Sequence, residues 1–111
     1  MDRLRGELPS GEFRYQLLCL DDLSSVRDFN KRMCDEGRPI DVLLNNAGVM
    51  ACPEMKTKDG FEYQLGVNHL GHFVLTSGLL PLMSDSERCV LADPVIRRRC
   101  ITHFLTVARN A

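Results

Sequence analysis

The stretch IDVLLNNAGVM, from Ile40 to Met50, decides the fold of this 111-residue chain. Its first half is a near-continuous apolar run, which is typical of a parallel strand covered on both faces. Its second half places Asn45, Asn46, Ala47 and Gly48 directly after that strand. Ligands of open α/β sheets bind beyond the carboxyl ends of the strands, but an Asn-Asn-Ala-Gly run is also a good turn. The residues alone therefore leave both a turn and a ligand-binding loop open.

The residues before this stretch predict a further strand and a helix. FRYQLLCL, from Phe13 to Leu20, is rich in apolar and aromatic residues and predicts a largely buried strand. Asp22 is placed to cap a helix running through Met33, which Gly37 and Pro39 end. The order of strand, helix and strand indicates an α/β domain with a parallel sheet.

A long second helix is predicted after the loop. Asp59 and Glu62 in DGFE match a capping box, with Asp59 as the N-cap, and the helix is expected to run to about Leu80. The segment from Tyr63 to Ser84 has no charged residue, and its length alone would permit a membrane span. We predict a buried helix and no transmembrane helix, because four polar residues would otherwise lie in hydrocarbon: Gln64, Asn68, His69 and His72.

Charge and cysteine content exclude several classes of function. The net charge of -1 argues against nucleic acid as a partner, since such binding normally needs a basic excess. The five cysteines contain no C-x-x-C pair, which indicates reduced thiols rather than a zinc site or a disulfide framework. His69 and His72 lie one helical turn apart, but no further ligand is evident, so we predict no metal. The N-terminal residues show no targeting signal, and a cytoplasmic location is the default expectation.

Three segments together resemble the central part of a short-chain dehydrogenase/reductase: LDDLSSVRDF, IDVLLNNAGVM and DGFEYQLGVNHLGHFVLT. The similarity runs from about Leu4 to Met83 and is strongest to retinol dehydrogenases and protochlorophyllide-reductase-like members. NNAG followed at this spacing by GVNHLGHF carries the resemblance. It implies an α/β fold, part of a Rossmann-type doubly wound parallel sheet. Residues 1–83 would be the central part of an NAD(P)-binding domain, and residues 84–111 a divergent tail.

The resemblance also implies roles for single residues. Asn45, Asn46, Ala47 and Gly48 match the loop that steadies the sheet and lines the adenine-ribose part of NAD or NADP. Asp21 matches the acid that contacts the adenine amino group.

Two positions keep an alternative. LDDLSS is about two residues shorter than the corresponding link of the family, so Asp22 is the alternative to Asp21, with a simple helix cap as its other role. Asn68 matches the asparagine of the catalytic Asn-Ser-Tyr-Lys set, which holds a water in the proton relay. Its alternative is a core amide whose hydrogen bonds are satisfied within the protein.

Two parts of the family pattern are missing from these 111 residues. The family's general acid/base is a tyrosine with a lysine four residues later, but Tyr15 and Tyr63 are followed at that distance by Cys19 and Val67. A pyrophosphate-binding loop needs G-x-G, and no two glycines have that spacing. We therefore expect a truncated form or fragment of an NAD(P)-dependent oxidoreductase that is inactive alone.

Two functions of different classes follow. The first is that of the parent family, oxidation or reduction of an alcohol/carbonyl pair on a small-molecule substrate of the retinol dehydrogenase type. The second is a non-catalytic interaction protein that docks onto a full-length relative, or forms a homo-oligomer, through the helix predicted from Asp59 to Leu80. The residues that normally choose between NAD and NADP are not among those that match.

Overall fold

The fold is described from a computed structural model, which covers residues 13–83 and the backbone of two strands at 89–90 and 106–108. The first helix, α1, spans Leu23–Glu36. Asp22 caps it in the predicted way, because its side chain accepts hydrogen bonds from the backbone N–H groups of Ser24 and Ser25. Gly37 ends it in the left-handed conformation at φ 63°, which glycine adopts without steric cost. Both helix ends predicted from the sequence are thus confirmed.

The central strand, β1, spans Val42–Leu44 and lies within the predicted strand. It pairs in parallel with β2 (Cys89–Val90) and antiparallel with β3 (Thr106–Ala108), giving the strand order β2-β1-β3. This sheet is mixed, so the expectation of a purely parallel sheet is wrong for the strands that the structure describes. The physical reason is that the backbone groups along one edge of β1 are paired by an antiparallel segment of the same chain.

The strand predicted for Phe13 to Leu20 does not form in the sheet. Leu18 and Leu20 are buried, whereas Tyr15 and Leu17 are exposed, and the segment has no regular secondary structure. Instead of a strand ladder, the Cys19 N–H donates to the Ser25 Oγ at 3.2 Å. The predicted burial therefore holds for Leu18 and Leu20 but not for the whole segment, and the strand needed a neighbouring strand that the described residues do not supply.

The long helix at residues 63–79 consists of three parts. It begins as α2 (Tyr63–Leu65), continues as a π turn (Gly66–Gly71) and ends as α3 (His72–Leu79), before a short 3₁₀ turn at Leu80–Leu82. Its end matches the prediction, but its start does not.

The N-cap of the long helix is Glu62 rather than Asp59. The Glu62 carboxylate accepts from the backbone N–H groups of Gln64 and Leu65 at 2.9 and 2.7 Å. A β-bridge between Lys56 and Glu62 closes a tight turn before the helix, and this turn delays the helix start by three residues. The Asp59 Oδ2 instead accepts from the Leu23 N–H at 2.9 Å, so Asp59 supports the start of α1.

The core lies between α1, β1 and the long helix. It is built from apolar residues of all these elements and of the segments between them: Leu18, Leu20, Val26, Phe29, Met33, Ile40, Leu43, Ala47, Val49, Val67, Leu75, Leu79 and Met83. The Asn30 Nδ2 donates to the Val74 carbonyl at 2.9 Å and joins α1 to α3. None of the helices in the described part of the chain is long and apolar enough to cross a membrane.

Gly71 lets the long helix approach the segment before α1. A Cβ at this position would lie 2.6 Å from the Leu20 carbonyl oxygen and 3.0 Å from the Leu20 Cβ. The Leu20 side chain is almost fully buried, so neither atom has room to move away.

We expect Gly71→Ala to lower the free energy of unfolding by about 1–3 kcal/mol, because the added methyl overpacks a fixed backbone contact. Thermal unfolding followed by circular dichroism measures the change. Ser77→Ala, at an exposed position of α3, is the control and should leave the melting temperature unaltered. Equal melting temperatures for the two variants would contradict the contact.

Candidate functional site

The loop after β1 turns its first asparagine into the protein. Asn45 is buried, and its Nδ2 donates to the Thr76 Oγ1 on α3 at 2.9 Å. Its Oδ1 is buried without a hydrogen-bond partner among the described residues. Asn45 therefore ties the end of β1 to the long helix, and a direct contact with a cofactor stays a prediction for this residue.

The remaining loop residues differ in how open they are. Asn46 is exposed, and its N–H donates to the Leu44 carbonyl at 3.1 Å. Ala47 is buried and Gly48 is half-buried. Of the four residues predicted to line a cofactor, Asn46 is the one whose side chain is open to a ligand at the carboxyl end of β1.

Asn68 pairs with both backbone groups of one loop residue. Its Oδ1 accepts from the Val49 N–H at 2.8 Å, and its Nδ2 donates to the Val49 carbonyl at 2.8 Å. A carboxamide that pairs in this way holds one orientation, because its donor and its acceptor are both used in the same plane. The long helix is thereby fixed to the end of the NNAG loop. These bonds fit the alternative stated for Asn68, a core amide satisfied within the protein, and its role in a proton relay stays a prediction. The sequence contained no signal that Val49 is the partner.

Asn68 lies within the π turn, and His72 follows at its end. The backbone N–H of His72 donates to the His69 carbonyl, while the His72 Nδ1 lies 3.0 Å from the Asn68 carbonyl oxygen. π turns inside α-helices are rare and often occur at functional sites. The only chemical role considered for His72 in the sequence was that of a metal ligand. In the described part of the chain, no group of three His, Cys, Asp or Glu residues is arranged to hold a metal ion.

The corner before α1 contains the two predicted aspartates. The Asp22 Oδ2 accepts from the Lys58 Nζ at 2.5 Å, and the Asp21 carbonyl accepts from the Lys58 N–H at 3.0 Å. The hydrogen bond from Lys58, followed by those from Ser24 and Ser25, holds the pKa of Asp22 well below its usual range. Asp22 is thus engaged as a helix cap and ion pair. The half-buried Asp21 keeps its predicted role toward adenine, as a prediction.

Comparison with known proteins agrees with this architecture. The profile of the short chain dehydrogenase family matches residues 2–91, eight residues beyond the Met83 boundary expected for the resemblance. Human retinol dehydrogenase 14 is 55% identical over 76 residues, which cover 68% of this chain and 23% of that protein. Zebrafish polyprenol dehydrogenase is 39% identical over 102 residues, which cover 92% of this chain and 32% of that protein.

A solved structure gives the same result for the fold. An uncharacterized protein from Mycobacterium paratuberculosis superposes with a TM-score of 0.60 at 48% identity, over 74% of this chain and 29% of that one. The chain therefore belongs to the short-chain dehydrogenase/reductase family of oxidoreductases, whose Rossmann-like α/β fold binds NAD(P) and whose substrates are small molecules. It spans about a quarter to a third of the length of these curated relatives.

The Asp22 ion pair predicts a specific response to acid. The pKa of Asp22 is lower in the folded chain than in the unfolded chain. The contribution of the ion pair to stability is therefore complete above the ordinary carboxyl pKa of about 3.9 and is lost as the pH falls below that value. Asp22→Asn keeps an acceptor for the helix cap but loses the charge that pairs with Lys58. We expect the melting temperature of the original chain to exceed that of Asp22→Asn at about pH 5 and the difference to shrink by about pH 2. A difference that stays constant over this range would refute the assignment.

Proposed function

We propose that residues 13–83 form the part of an NAD(P)-dependent oxidoreductase that contacts the adenosine end of the cofactor and holds the relay asparagine. The observation that carries this proposal is the double hydrogen bond between Asn68 and Val49, because it joins the two motifs of the site in one fixed unit. The substrate class we propose is an alcohol/carbonyl pair of the retinol or polyprenol type, which is supported by the names of the relatives.

The residues present fit one end of a dinucleotide. Asn46 offers an exposed amide at the carboxyl end of β1, and the small residues Ala47 and Gly48 leave room for a ring or a ribose. The Asp21 carboxylate is an acceptor suited to an adenine amino group. When bound, NAD or NADP would supply or accept the hydride.

The chemistry of proton transfer needs residues that the 111-residue sequence does not contain. Asn68 is the one member of the catalytic set with a matching position, and the Tyr-x-x-x-Lys pair and the G-x-G loop have none. We propose that this chain by itself does not turn over a nicotinamide cofactor. Its affinity for NADP is proposed to be weaker than about 1 mM, which corresponds to about 4 kcal/mol, because contacts to the pyrophosphate are missing.

A chimera tests this function. In human retinol dehydrogenase 14, the matching segment of 76 residues is replaced by that of the present chain. We expect NAD(P)-dependent oxidation of retinol by the chimera. Asn68→Ala should lower kcat by about 100-fold or more, because a proton-transfer step of this kind contributes on that order.

Two matched variants sharpen the result. Asn68→Asp keeps an oxygen for the Val49 N–H but cannot donate to the Val49 carbonyl, so its activity should also fall. Lys31→Ala changes an exposed residue of α1 and should have no effect. A folded chimera that remains fully active with Asn68→Ala would contradict the proposal.

The inactivity proposed for the isolated chain has its own test. Saturable oxidation of NADPH by the isolated chain would contradict it.

A second candidate function is docking through the long helix. Large apolar side chains are exposed along it, with 50% of Leu65, 63% of Phe73 and 56% of Leu80 open to solvent. Leu65 and Phe73 lie on the long helix, and Leu80 begins the 3₁₀ turn that follows it. These exposed apolar side chains favour contact with a second copy or with a full-length relative.

We expect Phe73→Glu to weaken association with full-length human retinol dehydrogenase 14 by about tenfold or more, since a buried aromatic anchor contributes on that scale. Sedimentation velocity of the mixed proteins measures the change. Lys31→Glu places the same charge on exposed α1 and serves as the control. If both variants associate as the original chain does, or if the original chain does not associate, the docking function is excluded.

A further inference from the structure

The carbonyl group of Asn68 has an unusual donor. The His72 Nδ1 lies 3.0 Å from the Asn68 oxygen, four residues away in the same helix. A carbonyl oxygen can only accept, so the proton of this bond lies on the His72 Nδ1. In this hydrogen bond Nδ1 is therefore the donor.

The bond that the His72 backbone makes explains why a side chain is used at this point. In a regular α-helix, the backbone N–H of His72 would donate to the carbonyl four residues earlier, which is that of Asn68. Here that N–H donates to the His69 carbonyl instead. The Asn68 carbonyl thus accepts a hydrogen bond from the side chain of His72 in place of one from the His72 backbone.

Because His72 is buried, the hydrogen bond between its Nδ1 and the Asn68 carbonyl matters for stability. His72 is 8% exposed, and an unmade hydrogen bond in such a position would leave two polar groups without water. His69 lies three residues earlier, within the π turn, and it is exposed and faces no such constraint. The two histidines of NHLGH therefore differ in environment although they are close in sequence.

We propose that His72 is a positioning residue for Asn68. Its Nδ1–H holds the Asn68 carbonyl, which keeps the π turn in place, and the π turn in turn keeps the Asn68 carboxamide against Val49. Asn68 is fixed at both ends, by His72 at its backbone and by Val49 at its side chain. This inference rests on the proposed function, because Asn68 is the residue on which that function depends.

The test uses hydrogen-deuterium exchange of the full 111-residue chain, without cofactor, read at the Val49 amide. His72→Asn places an amide donor close to the position of Nδ1, whereas His72→Gln places it close to that of Nε2. His72→Phe keeps a ring but has no donor. His69→Ala is the control at the exposed histidine, and the amides in the interior of α1 report on the global fold.

We expect His72→Asn and His69→Ala to keep the protection of Val49 within about twofold of the original chain. His72→Gln and His72→Phe should speed its exchange by at least about fivefold, while α1 remains protected. The proposal is overturned if Gln protects Val49 as well as Asn does, or if Asn loses as much protection as Phe. It is also overturned if Val49 and α1 always lose protection by the same factor, since His72 would then serve only global stability.

The exchange experiment and the enzymatic experiment can fail separately. If the His72 variants change the exchange of Val49 as expected but the chimera is inactive, the proposed function is refuted and the role of His72 stands. If the chimera is active but His72→Gln leaves Val49 protected in the exchange experiment, the role of His72 is refuted and the proposed function stands.

Discussion

The pairing of the Asn68 carboxamide with the backbone of Val49 is the contact on which the site depends. Two hydrogen bonds of 2.8 Å join the long helix to the residue that follows NNAG. Asn45 adds a second connection from the start of the same loop to Thr76. The loop is thus held by the helix at both of its ends. A loop fixed in this way keeps its exposed residue, Asn46, in one place at the carboxyl end of β1.

A second set of polar contacts fixes the corner before α1. Asp22 and Asp59 together accept the N–H groups of the first three residues of α1. Lys58 neutralises Asp22 and donates its own N–H to the Asp21 carbonyl. The turn before the long helix is therefore attached to the start of α1. Since Asp21 lies within this corner, the position of the residue predicted to contact adenine depends on a turn 37 residues later in the sequence.

Local signals were sufficient for part of this structure. Asp22 and Gly37 predicted both ends of α1 because a helix cap acts on N–H and carbonyl groups only a few residues away. The apolar run before NNAG likewise predicted β1.

Three features needed long-range information instead. The segment from Phe13 to Leu20 buries only Leu18 and Leu20 and forms no strand, because a strand requires a partner. Asp59 was assigned to the nearer helix although it caps α1. The π turn follows from how Asn68 and His72 are held, which propensity does not encode. Within the site, the motif predicted Asn68 and NNAG, whereas Val49, Thr76 and His72 became visible only in three dimensions.

The central claim is that Asn68 joins helix and loop through both of its side-chain groups. Nuclear magnetic resonance tests it directly, through the scalar coupling transmitted across the hydrogen bond from the Asn68 Nδ2 to the Val49 carbonyl carbon. The geometry predicts a measurable coupling, together with slow solvent exchange of one Asn68 carboxamide proton and of the Val49 amide. Rapid exchange of both carboxamide protons, with no coupling to Val49, would show that the side chain is free and would contradict the account.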